Sequence, residues 1–268
     1  MNDITIIVPV HEYNDEVKTY LDKALASVSE CRKHYKDGKL PLFFILAPGI
    51  DPTQVAMDPD GEYAGYIVKE EGPTDFCSMI NAAVDKVETE HFSILEFDDE
   101  YTPKWFKFAN QFSYGNEDVS IYIPLNIART TDDTDYQYLN EIALSKDFCE
   151  DFGFIDRSGL DSWCFFNLTG AIFNTKDFIE MNKYKASIQV AFNYELMLRY
   201  ANLNLRMMVV PKEGYLHTVG RKESLAEKYT NDMTQEEIEE WYALAKREFQ
   251  YMKDRNKGIN NKEKETLK

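Results

Sequence analysis

Cysteine is scarce in this sequence. The four present, Cys31, Cys77, Cys149 and Cys164, lie too far apart for a zinc knuckle or a redox pair. That excludes a small disulfide-stapled scaffold and leaves the thiols as small core residues in a reducing compartment. Basic charge is also in deficit: 30 Lys and Arg stand against 47 Asp and Glu, a formal net charge of −17. A surface that coats phosphates or adheres to anionic lipid needs the opposite balance. Nucleic acid is therefore a disfavoured partner, although a local basic groove is compatible with the total. Long hydrophobic runs are missing too, since no apolar stretch approaches the ~20 residues of a membrane helix. The opening residues carry no charged-then-apolar leader. The expectation is a cytoplasmic protein without a membrane span.

What is present is apolar and aromatic bulk. Hydrophobic residues make up 44% of the 268, with 17 Tyr and 17 Phe, enough for one large α/β domain or two small ones. Ile4 to Val10, Leu40 to Leu46, Tyr63 to Val68, Phe92 to Phe97 and Val119 to Pro124 read as short strands, several continuously apolar, as strands buried on both faces are. Between them, Val17 to Val28 and Thr74 to Val87 carry apolar residues at helical spacing. Asn14 or Asp15 can cap the first helix.

Strand and helix thus alternate over the first ~125 residues, which predicts a mainly parallel sheet with ligands at the carboxyl ends of its strands. Further on, Asn126 to Ser162 is polar and weakly patterned, apart from a helix at Tyr136 to Leu144; it reads as an insertion or lid. Trp163 to Asn174 is strand-like, Ile188 to Asn202 helical, and Leu205 to Val210 a strand. Thr234 and Glu237 form a capping box for a last helix, before a charged tail from Asp254 to Lys268.

The chemistry concentrates at Glu96, Asp98, Asp99 and Glu100, four acids within five positions. On an extended chain Glu96 and Asp98 point the same way. Carboxylates facing one point repel unless a cation joins them, and hard oxygen ligands suit Mn2+ or Mg2+. Such an ion can bridge two phosphates. A solvated acidic turn ahead of Pro103 is the plainer alternative.

Several segments, in order, resemble the family 2 glycosyltransferases of the GT-A fold. Ile4 to Glu12 is similar to the family's opening strand, and Leu21 to Val28 (LDKALASV) to its Leu-x-x-Ala-Leu-x-Ser-Val helix. Asn81-Ala82-Ala83 resembles the Asn-x-Gly/Ala before the metal strand. Ile94 to Asp99 (ILEFDD) resembles the acidic strand end, with Glu for the first Asp. Pro103, Gly170 to Phe173, Tyr194 to Arg199 (YELMLR), Val209 to Pro211 and Tyr215 to Leu225 continue the likeness. It covers Ile4 to about Leu225, leaving 226–268 as a C-terminal helix and tail.

The resemblance implies a GT-A-type, Rossmann-like α/β domain over 1–225 that moves a sugar from a nucleotide-sugar, a UDP-sugar first, to a hydroxyl acceptor such as a glycan. Glu96 and Asp98 would hold Mn2+ or Mg2+, with His217 a further ligand or a contact to diphosphate. Asp99 would touch metal or ribose. Pro9, His11 and Glu12 would lie under base and ribose, Asn81 would steady the nucleotide loop, and Arg221 and Lys222 would offset the diphosphate charge.

Two positions depart from the family pattern. Ala47-Pro48-Gly49 stands where an Asp pair is usual, with Asp51 the nearest acid. Phe192-Asn193 replaces the Glu-Asp that supplies a general base, and an amide accepts no proton, so Glu195 or Asp161 is the candidate base. The gap motivates a second reading, a GT-A-like module that binds nucleotide or glycan without turnover. A third is a virus-type transferase acting on modified DNA bases. A nucleotidyltransferase fits poorly, since His11 to Asp15 contains no Gly, Lys or Arg.

Overall fold

The computed structural model describes residues 1–55, 63–131, 136–149, 151–188, 190–221, 224, 229 and 233–247. Lys222 and the charged tail lie outside the described residues.

Strand β1 (Ile4–Val10) is buried at every position, as its unbroken apolar run requires. Helix α1 (Asp15–His34) starts where the Asn14 side chain accepts the Val17 N–H at 2.9 Å. Acids sit in its first turn and bases in its last, opposite the helix dipole, and its apolar stripe from Val17 to Val28 faces inward. Then follow β2 (Leu42–Leu46), the short α2 (Pro52–Val55), β3 (Tyr63–Val68) and α3 (Phe76–Val84), the last capped by Asp75 on the Ser78 N–H. After these come β4 (His91–Ile94), β5 (Glu100–Tyr101), α4 (Trp105–Ser113), β6 (Val119–Thr130) and β7 (Tyr136–Leu139). A 3₁₀ turn at Glu141–Leu144 leads to β8 (Phe154–Ile155), α5 (Arg157–Ser162), β9 (Ile172–Asn174), α6 (Thr175–Glu180), α7 (Phe192–Asn202) and β10 (Arg206–Val219). A helix at 235–247, here α8, closes the described chain.

The strands form one 10-stranded sheet, with the path β3-β2-β1-β4-β9-β6-β10-β5, β7 added to β6 and β8 to β10. The longest ladders, β10 on β6 and β1 on β2, are parallel, whereas β9 runs antiparallel between β4 and β6. Two apolar clusters fill the two faces. One packs α3, α6 and α7 on the sheet, the other α1 and α4.

Three local expectations need correction. Residues 136–139 are a strand, not the start of a helix, because they pair with the long β6 from Asn126↔Leu139 to Arg129↔Tyr136; sheet pairing overrides a weak local pattern. Within 126–162, residues 126–130, 136–139 and 154–155 are strands of the sheet. Only Ile172–Asn174 of the run from Trp163 is strand. Gly170 (φ +73°) breaks it, and a Cβ there would lie 2.3 Å from the Tyr215 ring, so no larger residue fits. Helix α7 begins at Phe192 rather than Ile188. The Thr234 capping box is present: Thr234 N–H donates to Glu237 Oε2 at 2.7 Å, and Glu237 N–H donates to Thr234 Oγ1 at 3.2 Å.

Candidate functional site

Strand order reverses at β1, which lies between β2 and β4. The β1–β4 ladder stops at Ile7↔Ile94, closed by the Leu95 N–H on the Ile7 carbonyl at 2.9 Å, while β1 continues along β2 to Val10. Pro9, two residues after Ile7, would direct an N–H toward the β4 side, where no ladder remains to be served. The two chains part there and open a crevice at the carboxyl ends, the place an open α/β sheet offers to a ligand. The resulting cavity is about 510 Å³ and reaches from Pro9 and His11 past Glu96 and Asp98 to Asn193, His217 and Arg221. A second groove of about 740 Å³ lies around Lys104, Pro211 and Lys212, away from the acids.

The acids sit on a tight turn rather than a strand. Asp99 N–H donates to the Glu96 carbonyl at 3.1 Å. That geometry replaces the two-residue alternation of an extended chain, so Glu96 and Asp99 come together instead of Glu96 and Asp98. Glu96, Asp99 and His217 each bring a ligand atom within 4.8 Å of the others. Asp98 turns to Arg221, whose Nε donates to its Oδ2 at 2.7 Å. Arg221 also reaches Glu12 Oε1 at 3.3 Å and lays its guanidinium over the Phe97 ring at 4.9 Å. The His11 ring lies tilted against the same ring at 5.1 Å, and its Nε2 is 3.5 Å from Glu12.

Strand β10 locks this turn. The buried Asp99 carboxylate accepts the Thr218 N–H at 2.7 Å, with His217 Nδ1 at 3.0 Å from its other oxygen. Thr218 Oγ1 donates to the Asp98 carbonyl at 2.6 Å, and the Glu96 N–H donates to Tyr215 Oη at 3.0 Å. Tyr215 and Thr218 were not singled out as site residues from the sequence. Tyr215 and His217, two apart on one strand, share a face, and that alternation was the available signal.

The electrostatics follow from crowding. Burial and then the Asp99 charge push the Glu96 carboxyl up to about 8, against the pull of His217 and Arg221. Burial pulls His217 down, but the facing Asp99, its hydrogen bond and Glu96 outweigh this and raise it to about 9. Asp98 is raised by burial and by Asp99, more than Arg221 lowers it. The oxygens of Glu96 and Asp99 and one imidazole, each with a ligand atom within 4.8 Å of the others, are the donor types that suit a divalent ion such as Mn2+ or Mg2+.

Other candidates lie elsewhere. Asn81 spends its amide on the Tyr184 backbone, donating to the carbonyl at 2.7 Å and accepting the N–H at 3.0 Å, so it braces the cleft wall from behind. Asp51 closes its own turn by accepting the Thr53 N–H and hydroxyl. Glu195 is buried away from the cavity, held by Arg199 at 2.8 Å and Lys185 at 2.9 Å. Asp161 pairs with Lys246 at 3.5 Å. Neither candidate base is among the residues that line the crevice: Glu195 is bound to Arg199 within α7, and Asp161 of α5 to Lys246 of α8. Asn193 does line the cavity. No described helix is long and apolar enough to cross a membrane.

No family model and no curated protein matches the chain. Among solved structures it is similar to S. aureus TarS 1-349 in complex with UDP-GlcNAc, with a TM-score of 0.64 and 15% identity over 91% of this chain and 65% of that one. The complex of TarS 1-349 with UDP gives a TM-score of 0.60 at 15% identity, with the same coverage of both chains. TarS itself gives 0.57 at 15% identity, covering 82% of this chain and 37% of that one. The likeness is one of fold, and that fold is GT-A.

Proposed function

We propose that this chain is a glycosyltransferase that takes a UDP-sugar with Mn2+ or Mg2+ and moves the sugar to an acceptor hydroxyl. One observation carries the reading: the Glu96 carboxylate and the His217 imidazole, beside the buried Arg221 guanidinium, line the crevice where β1 and β4 part, with the buried Asp99 carboxylate behind them. The GT-A fold supports it, as does the likeness to a protein solved with UDP-GlcNAc and with UDP.

Glu96, Asp99 and His217 would hold the ion, which supplies positive charge to a diphosphate leaving group. Arg221 exchanges Asp98 for a phosphate oxygen, a charge-assisted contact. Pro9, His11 and Phe97 wall the nucleoside side of the cleft, and Glu12 accepts from ribose hydroxyls. The acceptor hydroxyl oxygen bonds to the anomeric carbon as the bond from that carbon to the phosphate oxygen breaks. The electron pair of the broken bond leaves with the nucleoside diphosphate, and the hydroxyl proton passes to solvent or to a phosphate oxygen of the leaving group.

A second reading, binding without turnover, is favoured by Asn193, which lines the cleft where the resemblance places a base. Both readings are tested together. The protein is titrated with UDP, UDP-glucose and UDP-GlcNAc in Mn2+ by calorimetry, and released UDP is followed by mass spectrometry. Binding with UDP release to acceptor supports transfer, and binding without release supports the module. No binding of any of the three overturns transfer from a UDP-sugar and nucleotide binding alike.

A further inference from the structure

Part of the lining of the same cavity is aromatic rather than acidic. Phe165 lines it and is 57% exposed; its neighbour Trp163 is 37% exposed. The two rings meet edge to face at 5.5 Å, and Tyr242 of α8 packs on Phe165 at 5.1 Å. Large aromatics left open at a cavity that also holds polar groups suit a ligand that is apolar on one face and polar on the other.

The platform is rigid. Its loop is pinned by Asn140, which accepts the Asn167 N–H at 2.9 Å and donates to the Asn167 carbonyl at 2.9 Å and to the Pro124 carbonyl at 3.0 Å. Asn140 itself sits at φ +71°. Asn126 donates to the Thr169 carbonyl at 3.1 Å. From the other side Tyr242 rests against Tyr194 at 5.8 Å, and the Tyr194 hydroxyl is fixed on the Leu160 carbonyl at 2.9 Å. Such anchoring removes ordering cost before a ligand arrives. The charges bordering the platform, Asp161 and Lys246, pair with each other at 3.5 Å and so offer little to a charged ligand.

We infer that Trp163, Phe165 and Tyr242 form the acceptor subsite, and that its occupant is a pyranose ring of a neutral glycan. This rests on the transferase reading above. A pyranose presents a C–H face to the electron-rich ring face and hydroxyls to the surrounding water. One cavity holds aromatic and acidic groups alike, so a sugar on the platform directs a hydroxyl toward the donor.

The test is saturation-transfer NMR with cellobiose, maltose and N,N′-diacetylchitobiose, in the presence of Mg2+ and UDP. Transfer to pyranose C–H protons is expected for at least one saccharide. Phe165→Ala should weaken that saccharide roughly tenfold, as loss of a central aromatic contact does, while Phe165→Tyr retains it and UDP affinity stays the same in both. The inference is overturned if none of the three saccharides shows transfer, if Phe165→Ala binds as the parent does, or if a heparin disaccharide binds more tightly than all three. Loss of UDP binding in the parent protein would instead count against the transferase reading.

Discussion

His217 and Asp99, 118 positions apart in sequence, meet with Nδ1 at 3.0 Å from Oδ2. The Thr218 N–H takes the other carboxylate oxygen at 2.7 Å. Strand β10 therefore fixes the turn after β4 through one buried carboxylate. The same carboxylate and imidazole are two of the three groups that could hold a divalent ion, so the link that shapes the site also arms it.

Asp99→Asn keeps the volume and one acceptor but removes the charge. Even an outer partner of a metal ligand is worth about 10–100-fold in affinity, so loss of this one is expected to weaken Mn2+ binding by roughly 100-fold. Asp98→Asn, by contrast, should change it much less, because that carboxylate faces Arg221. A Mn2+ titration followed by electron paramagnetic resonance separates them. Equal losses in both variants would mean that Asp98 leaves Arg221 to join the ion.

Arg221 is held by Asp98 and Glu12, and is buried. If it transfers to a diphosphate, Arg221→Ala loses a charge-assisted hydrogen bond of about 1.5–3 kcal/mol. UDP should then bind roughly 10–100-fold more weakly by calorimetry. Lys at this position should recover part of that loss but not the stacking on Phe97. An unchanged dissociation constant in Arg221→Ala would confine this residue to neutralising the apo cleft.

Glu195 separates a structural carboxylate from a catalytic one. It is buried between Arg199 and Lys185. Removing one partner of a buried ion pair costs about 3–5 kcal/mol, which for a domain of this size lowers Tm by roughly 10 °C. Glu195→Gln should show most of that loss by calorimetry, while turnover per folded molecule stays close to the parent. A stable variant with turnover abolished would restore Glu195 as the base.

These particulars show which parts of the molecule could be read from the chain alone. The α1 cap at Asn14, its Val17 to Val28 stripe and the Thr234 capping box are local devices, and local devices are written in short stretches of sequence. The acidic strand end was legible for the same reason. Its internal geometry was not: whether Asp98 or Asp99 joins Glu96 depends on a turn closed by one backbone hydrogen bond. Asp161 looks available because its partner, Lys246, is brought to it by tertiary packing. Glu195 has a local partner in Arg199, four residues on, and its burial against Lys185 is what the chain alone does not show. Tyr136 to Leu139 read as helix because its true partner, β6, contributes nothing to local pattern.

The acidic turn also fixes the sign of a pH effect on the metal-free protein. Glu96 is raised from an ordinary 4.5 to about 8 in the fold. Between those values the folded chain holds a proton that the unfolded chain has lost, so stability falls as pH rises through that window. His217 is raised from 6.5 to about 9, so its contribution is complete below 6.5 and is lost as pH climbs through about 9. Both slopes run the same way. Tm measured by scanning calorimetry in EDTA should therefore decline from pH 6.5 to pH 9, and His217→Gln should flatten the decline. Saturating Mn2+ should oppose it, because the ion binds the deprotonated ligands and grows tighter as they lose their protons. A Tm that rises with pH in EDTA would mean that Glu96 is not buried against the Asp99 charge and that His217 does not face that carboxylate in solution.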